Sequence, residues 1–183
     1  MSDMKEIRTS SNKMIRVYDD YISFFHIEKF YSFIRQSKFM ISGADGVLST
    51  YKNQVYSTYS TQDLINLGML DTDIFKKLRE EFSLDRKEVK QIRVNCSTFS
   101  EDNTIHCDNH GLTFLYYVNP VWDISWSGHT VFLSDDLKES EYLSLYKPGR
   151  IVLFDGTIPH LILTPTHKAV DKRLSFVIQY KER

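Results

Sequence analysis

The sequence predicts an α+β fold that is mainly β, with N-terminal helices packed on the outside of a β sandwich or barrel. From Glu88 onward, short β-rich runs are separated by turn residues, which is typical of sandwiches and barrels. Two segments before Glu88 carry apolar residues at helical spacing. The chain also has 11 Tyr and 12 Phe, and aromatic residues favour strands.

The length of 183 residues suits a single domain, residues 1–183, with a core of its own. Because the predicted helices precede the predicted strands, we expect residues 1–87 to provide helical support and a candidate lid. Residues 88–183 are then expected to form the β core.

The N-terminal part is predicted to contain one strand and one helix. Residues 1–12 are polar and are expected to be loose. Residues 14–18 predict a short strand. We expect Asp19 or Asp20 to cap a helix that ends near Gln36. Its apolar face is predicted to carry Ile22, Phe25, Phe30 and Phe33.

A tyrosine-rich segment and a second helix follow. Residues 43–61 are polar and contain Tyr51, Tyr56 and Tyr59, so we expect a loop or a mobile hairpin there. This segment is the candidate lid. Asp71 is predicted to cap the second helix. The buried stripe of that helix is predicted to contain Phe75, Leu78 and Phe82.

The second half predicts a series of strands with turn signals such as Asn119-Pro120 and Pro148-Gly149 between them. The predicted strands lie in residues 88–99, 112–119, 129–133, 142–146, 150–155, 159–164 and 173–181.

Charge and composition exclude several classes of protein. With 23 Lys+Arg against 24 Asp+Glu, the net charge of -1 argues against electrostatic capture of nucleic acid or of an anionic membrane. No apolar run is long enough for a transmembrane helix, and the first residues lack the apolar core of a secretory signal. The 2 cysteines, Cys96 and Cys107, provide no disulfide framework. We therefore expect a cytoplasmic protein without a membrane partner.

The pattern His106-x-Asp108, with His160 further along the chain, is the main chemical signal. On a strand, residues i and i+2 face the same side, so His106 and Asp108 would lie together while Cys107 faces away. Two histidines and one carboxylate form the facial triad that suits non-haem Fe(II). Taken singly, these residues are as well explained by a surface pair and a hydrogen-bonded structural histidine.

Arg173 begins the last predicted strand, on which Arg173 and Ser175 share one face. A guanidinium and a hydroxyl that point together into a barrel can bind a carboxylate. The alternative is an arginine at the start of a strand in solvent, where most arginines lie.

Residues 106–180 resemble the double-stranded β-helix (jelly-roll) core of the Fe(II)- and 2-oxoglutarate-dependent oxygenases, and most of all the prolyl-4-hydroxylase-like branch. After the His-x-Asp pair come an aromatic strand that ends in Tyr-Val-Asn, Trp122, and a Ser-Gly-His-Thr-Val-Phe strand. A Pro-Gly turn before a Phe-Asp strand, His160 and Arg173 complete the pattern.

The resemblance implies roles for these residues. His106, Asp108 and His160 would hold Fe(II), and Arg173 would bind the distal carboxylate of 2-oxoglutarate. Tyr117 corresponds to the tyrosine that hydrogen-bonds the same carboxylate, and Ser175 is a further candidate. Tyr117 lies on the strand face opposite Tyr116, so the two tyrosines are expected to have different surroundings.

The implied reaction uses O2, hydroxylates a C–H bond, and releases succinate and CO2, with ascorbate as an additional candidate cofactor. No catalytic residue beyond the metal ligands is implied. The substrate would be a prolyl residue of a peptide or protein, or a small molecule. No pattern in the sequence indicates an oligomeric state.

Three other readings stay open. Oxidative demethylation of a nucleobase would use the same chemistry, but it needs a basic groove and aromatic stacking, and the net charge argues against it. A non-catalytic β-barrel that binds a ligand or partner is the second. A zinc hydrolase with the same ligands is the third, although Arg173 and Tyr117 would then have no evident purpose.

The sequence also departs from the family pattern. His129 replaces a small or acidic residue, so it is either a further polar group near the site or an exposed side chain. The interval between His160 and Arg173 is longer than in typical prolyl hydroxylases, and residues 166–171 are expected to form a loop there. These departures bear on the substrate more than on the chemistry.

Overall fold

The computed structural model describes residues 3–36, 39–42, 54–57, 59–84, 87–99, 104–108 and 111–181. Within these ranges the helices are α1 (Phe24–Arg35), α2 (Thr61–Asn66) and α3 (Asp73–Glu81). The strands are β1 (Asp3–Arg8), β2 (Met14–Asp19), β3 (Phe39–Ser42), β4 (Gln54–Ser57), β5 (Val89–Ser97), β6 (Leu112–Tyr117), β7 (Thr130–Leu133), β8 (Ser140–Ser144), β9 (Ile151–Asp155), β10 (His160–Ile162) and β11 (Arg173–Tyr180).

Two antiparallel sheets form the architecture of the described residues. The larger sheet has 8 strands in the order β1-β2-β9-β6-β11-β5-β4-β3, and the smaller has 3 in the order β10-β7-β8. Each β-rich run predicted after Glu88 overlaps one strand, from β5 to β11, although β8 begins at Ser140, before the run predicted at 142–146. The prediction of a mainly β, jelly-roll type of α+β fold is therefore confirmed.

The central strands of the larger sheet are buried on both faces. Along β6, Phe114 and Tyr116 belong to one apolar cluster, which also contains Ile34 of α1. Leu115 and Tyr117 belong to the other cluster, which also contains Phe132 of the smaller sheet. The predicted difference between the surroundings of the two neighbouring tyrosines is thus confirmed. Because both faces are covered, β6 has no solvent-exposed position, and every residue of it except Thr113 is apolar or aromatic.

Aromatic side chains join the helices to the larger sheet. The Phe30 ring of α1 lies 5.4 Å from the Tyr116 ring and 5.2 Å from the Phe176 ring. Phe75 of α3 lies 6.0 Å from Phe114 and 5.2 Å from Phe176. Burial of a phenylalanine side chain contributes roughly 1.5–3 kcal/mol, so this cluster is a substantial part of the core.

For residues 3–12, which the structure describes, the prediction of a loose segment is wrong. β1 pairs antiparallel with β2 along its whole length and forms one edge of the larger sheet. Its side chains are mostly exposed, and Glu6 accepts hydrogen bonds from Arg8 and Arg16. A polar sequence is what an edge strand with one solvated face requires, so polarity did not mean disorder here.

The predicted cap of the first helix is also wrong. Asp19 ends β2, and its carboxylate accepts two hydrogen bonds of 2.7 Å from the guanidinium of Arg150. The helix begins later, with Ser23 as the N-cap residue, and it ends at Arg35 with Gln36 as the C-cap, close to the predicted end.

The apolar face of α1 differs from the predicted one. Phe25 is 69% exposed. The side that contacts the core carries Ile27, Phe30, Tyr31 and Ile34. These positions have the i, i+3, i+4, i+7 spacing of one helix face, and Phe25 lies on the opposite side.

The second predicted helix is present as α3, with a different cap. Thr72 is its N-cap, because its hydroxyl accepts a hydrogen bond from the backbone N–H of Phe75, and Asp71 ends a preceding 3₁₀ turn. Phe75 and Leu78 are buried, as predicted, and Phe82 packs against the same cluster. The short helix α2, which has a capping box at Ser60, was not predicted. Among the described residues, no helix has the length and apolar character needed to cross a bilayer.

The candidate lid lies partly outside the described residues. β3 and β4 form an antiparallel hairpin at the far edge of the larger sheet, and residues 43–53 between them, with Tyr51, are not described. The side chain of Tyr56 also lies outside the description. Tyr59 stacks on Phe33 of α1 at a centroid distance of 6.4 Å. Tyr59 therefore contacts α1.

Candidate active site

The backbone brings His106 and His160 together. The N–H of His106 donates to the carbonyl of His160 at 3.0 Å, and the N–H of His160 donates to the carbonyl of His106 at 2.9 Å. His106 and Asp108 were expected to lie on a strand. Instead, residues 104–108 form an extended segment with a single bridge to β10. The N–H of Asp108 donates to the carbonyl of Gly156 at 2.8 Å, which attaches the segment to the turn after β9.

The side chains of His106, Asp108 and His160 converge. One potential ligand atom from each lies within 4.8 Å of the other two. Ligand atoms bound to one ion at about 2.1 Å are at most roughly 4.2 Å apart, so the three groups lie near the spacing that a shared ion requires. Cys107 is not a member of this cluster, and its thiol contacts the carbonyl of Thr157 at 3.5 Å.

Hydrogen bonds select the tautomer of both histidines. The Nδ1 of His106 lies 3.0 Å from the carbonyl of Thr104, and the Nδ1 of His160 lies 2.9 Å from the carbonyl of Ile158. A carbonyl can only accept, so each Nδ1 carries the proton and each Nε2 has a free lone pair. This is the usual arrangement of metal-binding histidines, and the donor set therefore fits a divalent transition metal such as Fe(II).

Burial differs between the three side chains. His160 is buried, Asp108 is half-buried and His106 is exposed. Burial lowers the pKa of His160, and the neighbouring His106 lowers it further, whereas Asp108 raises it. The net shift favours the neutral imidazole, the form that binds a metal. One side of the cluster thus faces the interior and the other faces the surface.

Two residues that the sequence did not single out hold the carboxylate of Asp108. Gln179 Nε2 donates to Oδ1 at 2.7 Å, and the hydroxyl of Thr113 donates to Oδ2. Gln179 lies six residues after Arg173 on β11, so alternation along the strand puts both on the same face. This alternation along β11 was the sequence signal available for Gln179, whereas no sequence pattern pointed to Thr113.

Arg173 lies in the interior, with 0% of its surface exposed. Its Nε donates to the carbonyl of Gly128 at 2.7 Å, and its Nη1 donates to the hydroxyl of Ser175 at 3.1 Å. The guanidinium carbon is 5.4 Å from the ring centroid of Tyr117 and 5.1 Å from that of Tyr146. The alternative of a solvent-exposed arginine is therefore wrong, and Arg173 is a buried cation.

Tyr117 lies beside Arg173 in a fully buried polar group. Ser175 and Tyr117 are register partners on β11 and β6. The Tyr117 hydroxyl donates at 2.9 Å to the hydroxyl of Thr130 and lies 3.1 Å from the hydroxyl of Ser144. Thr130 and Ser144 were not predicted, although Thr130 is the threonine of the Gly-His-Thr motif.

Tyr146 and His129 complete the surroundings of Arg173. The ring of Tyr146 stacks on that of Tyr117 at 4.4 Å, and its hydroxyl lies 2.6 Å from the carbonyl of Leu174. His129 is 8% exposed, so the alternative of an exposed side chain is wrong. Its Nδ1 accepts the backbone N–H of Tyr146 at 2.9 Å. Burial lowers the pKa of His129, and the charge of Arg173 lowers it further. His129 is therefore an uncharged structural acceptor.

The fold was compared with solved structures. A prolyl-4-hydroxylase of Pseudomonas putida superposes with a TM-score of 0.62 at 12% identity, over 92% of this chain and 92% of the other. A Trichoplax adhaerens prolyl hydroxylase in complex with a hypoxia-inducible-factor peptide gives 0.59 at 15% identity, over 91% and 83%. EvdO2 of Micromonospora carbonacea, complexed with 2-oxoglutarate, gives 0.67 at 12% identity, over 100% and 94%.

No protein-family model and no curated protein matches the sequence. The similarity thus lies in three-dimensional structure at low sequence identity, and it covers nearly the whole chain. At the level of the fold, the resemblance seen in the sequence is confirmed, and the chain has the jelly-roll fold of the Fe(II)- and 2-oxoglutarate-dependent oxygenases.

Proposed function

We propose that this protein is an Fe(II)- and 2-oxoglutarate-dependent oxygenase that hydroxylates a C–H bond of its substrate and releases succinate and CO2. The observation that carries the proposal is the convergence of His106, Asp108 and His160, with both Nδ1 atoms bonded to backbone carbonyls. Three protein ligands leave other positions of an octahedral ion open for a co-substrate and oxygen.

In this proposal the residues divide into two groups. His106, Asp108 and His160 hold the metal, which supplies the oxygen chemistry when it is bound. Arg173 binds the distal carboxylate of 2-oxoglutarate, with Ser175 and Tyr117 as its neighbours. A buried guanidinium is costly unless it is hydrogen-bonded or paired, and a carboxylate placed beside it would form a strong charge-assisted pair with it.

A prolyl residue of a peptide or protein is the substrate class that we propose to test first. Two of the similar structures are prolyl hydroxylases, although at 12% and 15% identity they inform on the fold and not on the substrate. The exposure of His106 supports a site that opens on the surface, where an extended chain can reach it. Ascorbate belongs in the assay as a reductant.

The experiment begins with anaerobic binding of Fe(II) and 2-oxoglutarate, measured by calorimetry. Oxygen is then admitted with prolyl peptides and small molecules, and succinate and the mass of the product are measured. We expect succinate with Fe(II) but not with Zn(II), and one added oxygen atom on the true substrate. Succinate formation that is absent with iron, or equal with zinc, would contradict the proposal.

The assigned ligands can be tested separately. We expect Asp108→Ala and His160→Ala to abolish succinate formation, because each removes one of only three protein ligands. His167→Ala is the matched control, since this exposed histidine lies in the connection between β10 and β11. Full turnover by either ligand variant would reject the triad.

A further inference from the structure

The carboxylate of Asp108 is held by two strands at once. Gln179 lies on β11 and Thr113 on β6, and the two residues are register partners across this strand pair. Their side chains end on different oxygens of the same carboxylate, Gln179 on Oδ1 and Thr113 on Oδ2. A single cross-strand pair therefore forms a clamp around one acidic group.

The clamp restricts how Asp108 can present its oxygens. A carboxylate has about four lone-pair positions, and the clamp uses one on each oxygen. Rotation of the carboxylate would break both hydrogen bonds, so its plane is fixed relative to the larger sheet. The backbone N–H of Asp108, which donates to Gly156, fixes the other end of the residue.

The donors are an amide and a hydroxyl, and both are uncharged. They orient the carboxylate without cancelling its negative charge, in contrast to an arginine or lysine partner. The charge thus remains available for a cation between Asp108 and the two Nε2 atoms. Hydrogen-bond partners of metal ligands act in this way, and their loss typically weakens metal binding by about 10–100-fold.

We propose that Gln179 and Thr113 are positioning residues for the metal centre, and that their paired hydrogen bonds hold the Asp108 carboxylate in the orientation in which it binds the ion. The proposal rests on the proposed function, in which Asp108 is a metal ligand. It goes further because it assigns a specific task to two residues of the larger sheet that are not themselves metal ligands.

Binding of Co(II) to the metal-free protein is the test, since Co(II) reports both affinity and, through its visible absorption, coordination geometry. We expect Gln179→Leu and Thr113→Val each to weaken Co(II) binding by about tenfold and to change the absorption spectrum. The double variant should lose less than the product of the two single losses, because both side chains hold one carboxylate.

Matched variants separate this effect from a general loss of stability. Gln91→Leu makes the same chemical change on β5 at the register partner of Gln179. It should leave both affinity and spectrum unchanged. Thr113→Ser keeps the hydroxyl and should bind Co(II) like the wild type. Thermal unfolding of each metal-free variant shows whether the protein is folded. If Gln179→Leu does not fold, the comparison of Thr113→Ser with Thr113→Val still tests the proposal.

The outcomes distinguish the two proposals. If the wild type binds no Co(II), or if Asp108→Ala binds it equally well, the metal centre itself is wrong and the clamp has no purpose. If Asp108→Ala abolishes binding while Gln179→Leu and Thr113→Val bind like the wild type, only the positioning role is overturned. Weaker binding in both, with Thr113→Ser and Gln91→Leu unaffected, supports it.

Discussion

A methyl group at Gly128 should disturb the buried arginine directly. Gly128 has a φ of 77°, in the left-handed region, and a Cβ added there would lie 3.1 Å from Cδ of Arg173 and 3.1 Å from Cζ2 of Trp122. The carbonyl of Gly128 is also the acceptor for the Nε of Arg173. Gly128→Ala therefore pushes on the side chain that its own backbone holds in place.

The magnitude has two parts. The left-handed backbone costs an alanine about 1–2 kcal/mol. Crowding against Arg173 and Trp122 should cost about 1–3 kcal/mol more, as overpacking does in tight interiors. Displacement of the guanidinium should also weaken 2-oxoglutarate binding by about tenfold, equivalent to ~1.4 kcal/mol.

Gly68 provides the control for the backbone part. It has a φ of 69°, and nothing lies within 4 Å of a Cβ added there. Urea unfolding should show a loss of about 1–2 kcal/mol for Gly68→Ala and a clearly larger loss for Gly128→Ala. Calorimetric titration with 2-oxoglutarate should show weaker binding for Gly128→Ala alone. Equal destabilisation by both variants, with unchanged binding in both, would refute the reasoning.

Three other predictions concern Arg173 and the residues around it. Arg173→Ala should weaken 2-oxoglutarate binding more than Fe(II) binding, because it removes a charge-assisted pair; an unchanged affinity for 2-oxoglutarate in calorimetry would assign its carboxylate to another residue. The pKa of His129 is lowered in the folded protein, so the unfolded chain binds a proton first and stability falls as the pH drops below about 6.5. His129→Asn keeps an acceptor for the N–H of Tyr146 but cannot titrate, so its urea midpoint should fall less than that of the wild type between neutral and acidic pH. If the midpoints of the two proteins fall equally, protonation of His129 is not the cause of the lost stability. Tyr146→Phe removes the buried hydroxyl that accepts from the Asn119 N–H at 3.1 Å, and should cost about 1–3 kcal/mol in urea unfolding; a loss near zero would show that the N–H finds another acceptor.

The first half of the chain shows how far local patterns reach. Helical spacing predicted α1 and α3, and the predicted end of α1 near Gln36 was close to the observed end at Arg35. The start was wrong because the carboxylate of Asp19, a good cap in isolation, is bound by Arg150, the residue before β9. Capping preferences describe one helix, whereas this ion pair joins residues that are distant along the chain.

The candidate site shows the same division between what local patterns predict and what contacts between distant residues determine. The residue types and the His-x-Asp spacing indicated a metal-binding triad, because they depend on local geometry and donor chemistry. The clamp on Asp108 could not be found in this way. Gln179 reaches the carboxylate only because β11 lies next to β6 in a particular register.

The class of fold, the order of the β core and the three side chains able to share a metal could be predicted from the residues alone, since alternation, turn residues and ligand chemistry are local properties. Three facts could be seen only in the folded protein: Arg173 is buried, His129 is an internal acceptor, and Gln179 and Thr113 meet at Asp108. These facts depend on which strands become neighbours, and strand pairing between distant segments is set by the packing of the whole chain.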